Sequence, residues 1–170
     1  MSGRALLGAF VLGLAVIGGA GAGLNENWSD HLTGDQEFPA RPTQGQGQAI
    51  FHLSDDGQSI DYRLIATNID NVRQAHIHIG AAGANGPVVV FLYGLVPAGG
   101  GRQTGVLATG SFTADDFIGP LESQPFSALV EAMRSGNAYV NVHTDDGVAP
   151  ANTGPGDFPG GEIRAQIIEE

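Results

Sequence analysis

The 170-residue sequence contains no cysteine and no lysine, and it has only one tryptophan. The absence of cysteine excludes disulfide bonds, a zinc site built from thiolates and a lipid attached through an N-terminal cysteine. All seven basic residues are arginines, and they face 18 acidic residues, which gives a formal net charge of −11. Because nucleic acid repels a chain of this charge, we expect no nucleic-acid partner.

The N-terminal segment, residues 1–22, has the composition of a secretory signal peptide. A single basic residue, Arg4, precedes a run of apolar and small residues that ends in Ala20-Gly21-Ala22, an A-x-A cleavage pattern. The run is close to the lower length limit for a membrane span and is interrupted by glycines, which favours cleavage over a retained anchor. We therefore predict a single domain over residues 23–170, secreted to the periplasm or the extracellular space, with no membrane span after cleavage. Its six arginines and 18 acidic residues give a formal charge of −12.

Short segments of alternating apolar and polar residues, separated by turns rich in glycine and proline, dominate the rest of the sequence. They predict strands at residues 47–54, 59–69, 72–80, 87–93, 104–113, 137–144 and 160–168. Residues 125–135 differ, because they place apolar side chains at the i, i+3, i+4 and i+7 positions of one helical face. These patterns predict an all-β fold, an antiparallel Greek-key-like β-sandwich with one short crossover helix near residues 125–135.

Three of the five histidines fall on the polar faces of predicted strands. In the segment AHIHI, His76 and His78 share one face, because successive side chains of a strand point to opposite faces. The same parity places His143 beside Tyr139 and Asn141 in the segment NAYVNVHT. Two imidazoles on one strand and a third on a neighbouring strand can bind one metal ion, and such ligands suit copper or zinc. Alternatively, the histidines bind no metal and are ordinary solvated or hydrogen-bonded side chains on the polar face of an antiparallel sheet.

Acidic pairs at predicted turns offer a different kind of site. They are Asp55-Asp56, Asp115-Asp116 and Asp145-Asp146. Carboxylates together with loop carbonyls can bind Ca²⁺, but no pair matches the calcium loop of an EF-hand, and Asp-Asp-Gly is also ordinary turn chemistry. The third pair opens a long connection, residues 144–161, which directly follows His143, and connections of this length are often functional.

Several motifs in the same order resemble the CHRD domain, a module first named in chordin and widespread in secreted bacterial proteins. They are GDQEFP, AHIHIG, NGPVV, VNVHT and GGEIRAQI, within a match that runs from about residue 28 to residue 168. The resemblance implies an all-β fold and an extracellular setting, and its pattern includes His76, His78 and His143. The chain lacks the cysteine-rich modules of chordin, so the resemblance does not extend to growth-factor antagonism.

The three histidines and the glycine-rich loop are also similar in style to copper–zinc superoxide dismutases, although the sequence shows no clear set of zinc ligands and no disulfide.

Three hypotheses for the function follow from these observations. The preferred one is a secreted, non-catalytic binding module with a copper or zinc ion at the three histidines, supported by Asn141, Glu162 and Arg164. The second is a cell-surface or matrix module that contacts a protein or glycan without metal, through the histidine-bearing face or the connection at residues 144–161. The third is a dismutase-like copper enzyme.

Overall fold

The computed structural model describes residues 26–168, so the predicted signal peptide and both ends of the predicted domain lie outside the described residues. Within this range there are eight strands: β1 (Asn27–Thr33), β2 (Gln46–Leu53), β3 (Ser59–Asp70), β4 (Val72–Ile79), β5 (Val88–Gly94), β6 (Arg102–Thr113), β7 (Ala138–Thr144) and β8 (Ile163–Ile167). One helix, α1 (Ser127–Arg134), lies between β6 and β7. Short 3-10 turns occur at Gly34–Gln36, Ala114–Asp116 and Gly119–Leu121.

The strands form one antiparallel sheet with the order β5-β4-β7-β8-β1-β2-β3-β6. The sheet curls so that its two ends approach each other. Tyr62 on β3 donates its hydroxyl hydrogen to the carbonyl of Leu92 on β5, at 2.7 Å. The backbone N–H of Ile118, which follows β6, donates to the carbonyl of Val89 on β5, at 3.0 Å. The prediction of an all-β antiparallel fold is therefore confirmed, in the form of a nearly closed, sandwich-like barrel.

The alternation of the strands directs apolar side chains into a common interior. It includes Trp28, Phe51, Leu64, Ile77 and Val140 from the strands and Leu129 and Met133 from α1, all fully buried. Each such side chain contributes about 1.5–3 kcal/mol when it is removed from water. This interior provides the driving force for folding in a chain that has no disulfide.

The predicted helix is confirmed, and its ends follow from local sequence. It begins shortly after Pro125, and Gly136, two residues beyond its last residue, has a φ of 67°, a left-handed conformation that glycine adopts without strain. The turn at Ala114–Asp116 begins with a capping box. In this box the N–H of Thr113 donates to Asp116 Oδ2 at 2.9 Å, and the N–H of Asp115 donates to Thr113 Oγ1 at 3.3 Å.

The polar face of β4, β7 and β8 is covered by three connecting segments, residues 34–45, 80–86 and 145–162. Arg41 Nε donates to the carbonyl of Gly161 at 3.2 Å, which joins the first segment to the third. Arg164 on β8 donates to the carbonyl of Ala84 at 2.9 Å, which holds the second. Every residue of β7 is consequently buried. Among the described residues, no helix has the length and apolar character needed to cross a membrane.

Candidate metal centre

The structure brings the three predicted histidines together. His76 and His78 project from β4, and His143 projects from the adjacent strand β7, where the register pairs His76 with Asn141. One ring nitrogen of each histidine lies within 4.8 Å of the others, and His76 Nδ1 is 3.0 Å from His143 Nε2. The exposed fractions of His76, His78 and His143 are only 3%, 6% and 7%. Of the two forms of the alternative without metal, solvated or hydrogen-bonded histidines, the solvated form is therefore wrong, because the connecting segments enclose that face.

Backbone carbonyls fix the orientation of two of the rings. His78 Nδ1 lies 2.9 Å from the carbonyl oxygen of Gly86, and His143 Nδ1 lies 2.8 Å from that of Pro159. A carbonyl only accepts, so each Nδ1 carries the hydrogen, and Nε2 of the neutral ring keeps its lone pair. The buried Nε2 atoms of His76 and His78 have no hydrogen-bond partner. An Nδ1–H that donates to a carbonyl is the usual support of a metal-bound histidine.

Burial keeps all three imidazoles uncharged at neutral pH. It lowers the pKa of His76 to about 3, with a further contribution from the neighbouring rings of His143 and His78. Burial also lowers the pKa of His143 to about 4, against the opposing effect of the Pro159 carbonyl. The pKa of His78 is lowered by the same cause. Since metals bind the neutral imidazole, no proton has to be displaced from these rings near pH 7.

Aromatic side chains pack against the imidazole rings of His76 and His78. The ring of Tyr139 is stacked on that of His78, with centroids 4.6 Å apart and an interplanar angle of 8°. Phe91 meets His76 edge to face at 4.5 Å. The guanidinium carbon of Arg164 lies 3.4 Å from the Tyr139 centroid. Strand parity places Tyr139 on this face, but no sequence pattern predicts the position of Phe91, because it belongs to a continuous apolar run.

The predicted supporting residues differ in how they reach the histidines. Asn141 touches the cluster directly, with its Oδ1 3.0 Å from His143 Nε2. Arg164 stacks on the ring of Tyr139, and its positive charge also contributes to the lowered pKa of His78. Glu162 is fully buried and accepts from Thr144 Oγ1 at 2.6 Å and from the N–H of Gly156 at 2.8 Å. Glu162 therefore anchors the long connection after β7 rather than the imidazoles.

Glu37 adds a buried carboxyl group beside Asn141. It is 5% exposed, and Asn141 Nδ2 lies 3.5 Å from its Oε1. Burial raises the pKa of Glu37 to about 7, although Arg164, the Asn141 hydrogen bond and Arg41 act in the opposite direction. Asn141 thus lies between the histidine cluster and a carboxyl group whose pKa is close to neutrality.

The two remaining histidines lie elsewhere. His31 on β1 and His52 on β2 are exposed, and neither belongs to the cluster. They therefore provide matched controls for substitutions of the clustered histidines.

Comparison with known proteins identifies the family of the chain. Residues 28–167 match the family model of the CHRD domain, a range that contains every strand but the first residue of β1. Neither a curated protein nor a solved structure matches the chain. The matched range includes the three histidines and the segments that cover them, so the chain belongs to the CHRD domain family.

Proposed function

We propose that this protein is a secreted, non-catalytic binding module that holds one copper or zinc ion at His76, His78 and His143. The observation that supports this proposal best is the pair of buried Nε2 atoms on His76 and His78 that have no hydrogen-bond partner. A buried polar atom without a partner is unfavourable, and native structures rarely keep one without a reason. A metal ion bound by both nitrogens would supply that reason.

The donor set fits copper or zinc. Three neutral imidazoles are ligands of intermediate softness, which these two ions favour, whereas Ca²⁺ and Mg²⁺ favour oxygen. Asn141 Oδ1, 3.0 Å from His143 Nε2, offers one further donor at the same centre. Backbone carbonyls already orient His78 and His143 as ligands, so the contact that the ion has to replace is the one between His76 Nδ1 and His143 Nε2.

The enclosure of the cluster supports a binding role rather than catalysis. Each of the three histidines is at most 7% exposed, which leaves little access for a substrate. The same enclosure disfavours the alternative in which the histidine-bearing face contacts a protein or glycan. An exported location is supported by the predicted signal peptide at residues 1–22 and by the CHRD domain, which is widespread in secreted bacterial proteins.

Metal titration of a ligand variant and a matched control tests the proposal. The protein is purified without a polyhistidine tag and stripped with a chelator. Zn²⁺ is then titrated calorimetrically and Cu²⁺ by competition with a chelator of known affinity. We expect one ion per chain, at least 100-fold weaker binding by His78→Ala, and binding within twofold of wild type by His31→Ala. Circular dichroism checks that both variants are folded.

Two results would contradict the proposal. The first is the absence of stoichiometric copper or zinc binding by the wild type. The second is an equal effect of His78→Ala and His31→Ala. A superoxide dismutase assay on the copper-loaded protein tests the non-catalytic role separately. Copper-dependent activity that His78→Ala abolishes would replace the binding role with that of an enzyme.

A further inference from the structure

We infer that the connection after β7 forms a second metal site, specific for a hard divalent cation of the calcium type, from Asp145, Asp146 and Asp157. One carboxylate oxygen of each residue lies within 4.8 Å of the other two. All three donors are oxygens, so this site differs in chemistry from the imidazole cluster and is independent of the function proposed for it.

Asp157 provides the decisive observation. Its side chain is only 2% exposed, and its Oδ1 is buried without a hydrogen-bond partner. Its other oxygen, Oδ2, accepts from both the N–H and the hydroxyl of Thr153, each at 2.9 Å. A buried carboxyl oxygen without a hydrogen-bond partner is costly unless a cation binds it. Asp157 Oδ1 is therefore available as a ligand for a metal ion.

The charge around the three carboxylates is not balanced by the protein. Arg73 NH1 lies 3.4 Å from Asp145 Oδ2, so one arginine faces the cluster. The neighbouring Arg102 is paired with Asp70, 3.6 Å away, and adds no net positive charge. Three carboxylates and one guanidinium leave two negative charges, which a single divalent cation would neutralise.

The site is built on a loop whose ends are held in place. The N–H of Thr144 donates to the carbonyl of Phe158 at 3.3 Å, and the N–H of Phe158 donates to Thr144 Oγ1 at 2.9 Å. The three aspartates therefore lie within a closed segment between residues 144 and 158. Ca²⁺ accepts irregular sets of oxygen ligands, whereas Mg²⁺ requires near-ideal octahedral geometry, so we assign the site to the calcium type.

Calcium binding by the chelator-stripped protein tests the inference, with isothermal titration of CaCl₂ in 0.1 M NaCl at pH 7.5. The test variant is Asp157→Asn, which keeps an acceptor for Thr153. The control is Asp61→Asn, which removes one charge from an exposed position on β3. If Asp157→Asn does not fold, Asp146→Asn replaces it, because asparagine can still accept from the N–H of Val148.

We expect one Ca²⁺ per chain with a Kd of about 10⁻⁴–10⁻³ M or tighter, in the range of extracellular calcium modules. Asp157→Asn should weaken binding at least tenfold, Asp61→Asn should remain within twofold of wild type, and Mg²⁺ should bind more weakly than Ca²⁺. No saturable binding at 10 mM CaCl₂, tighter binding of Mg²⁺, or equal effects of the two variants would overturn the inference. If a His76→Ala/His78→Ala variant still binds calcium, the two sites are independent. Loss of calcium binding in that variant would overturn the inference of a separate site.

Discussion

Acidification from pH 7 to pH 5 should destabilise the metal-free protein because the clustered histidines are held neutral in the fold. Burial lowers the pKa of His76 to about 3 and that of His143 to about 4. The same groups in the unfolded chain have a pKa of about 6.5. The unfolded state therefore takes up protons first as the pH falls. The stability associated with these groups is fully present above about pH 6.5 and decreases below it.

The size of the effect follows from proton linkage. Between pH 7 and pH 5, uptake by the unfolded state lowers the free energy of unfolding by about 2 kcal/mol for each of His76 and His143. Glu37 acts in the opposite sense, because its pKa is raised to about 7 and the folded state is the one that takes up its proton. That proton uptake raises the free energy of unfolding by about 2 kcal/mol between pH 7 and pH 5. The net loss of stability from these three groups is thus about 2 kcal/mol. The pKa of His78 is lowered like those of the other two histidines, so His78 increases this loss.

Urea unfolding in the presence of EDTA measures this loss, and the fluorescence of the single, fully buried Trp28 provides the signal. The variant Glu37→Gln removes the opposing contribution, so its loss between pH 7 and pH 5 should rise to about 4 kcal/mol. Glu122→Gln, at an exposed position, should behave like the wild type. Glu26 does not oppose the loss, because the hydrogen bond from Arg134 lowers its pKa in the folded state. Stability that is constant or increases on acidification in both the wild type and Glu37→Gln would show that the fold does not hold these histidines neutral.

Three substitutions test other parts of the account. Gly161→Ala should destabilise the protein by about 2 kcal/mol in urea unfolding, because Gly161 has a φ of 119° and an added Cβ would overlap Glu37 Oε1. Tyr139→Phe removes the acceptor of the Gly86 N–H, at 3.0 Å, and should lower stability by about 1–2 kcal/mol. Since the Gly86 carbonyl orients His78, Tyr139→Phe should also weaken Zn²⁺ binding about tenfold in calorimetric titration. Thr113→Ala breaks a capping box distant from the cluster and should lower stability by about 1 kcal/mol while Zn²⁺ affinity is unchanged.

Strand parity predicted most of the sheet and the members of the histidine cluster. The alternation in the segments AHIHI and NAYVNVHT specifies which side chains share a face, and the structure places His76, His78 and His143 on one face of adjacent strands. Seven of the eight strands were predicted within a few residues of their bounds. Strand β1 was missed because its inward positions are Trp28, Asp30 and Leu32, and the buried acidic residue interrupts the apolar pattern.

The enclosure of the polar face could not be predicted from local pattern. Residues 34–45, 80–86 and 145–162 come from distant parts of the sequence, and only tertiary packing brings them over β4, β7 and β8. These segments contact the histidines largely through backbone groups, such as the carbonyls of Gly86 and Pro159. Backbone groups leave no recognisable pattern in the sequence. Asp157 was missed for a related reason. It stands alone in a segment rich in glycine and proline, and the fold rather than the spacing brings it to Asp145 and Asp146.

Anomalous diffraction from crystals of the zinc-loaded or copper-loaded protein, measured at the absorption edge of the metal, locates the bound ion. We expect one strong peak among His76, His78 and His143, about 2.0–2.1 Å from a nitrogen of each ring for zinc. A well-ordered histidine cluster with no peak, or a peak only at exposed residues such as His31 or His52, would contradict this expectation.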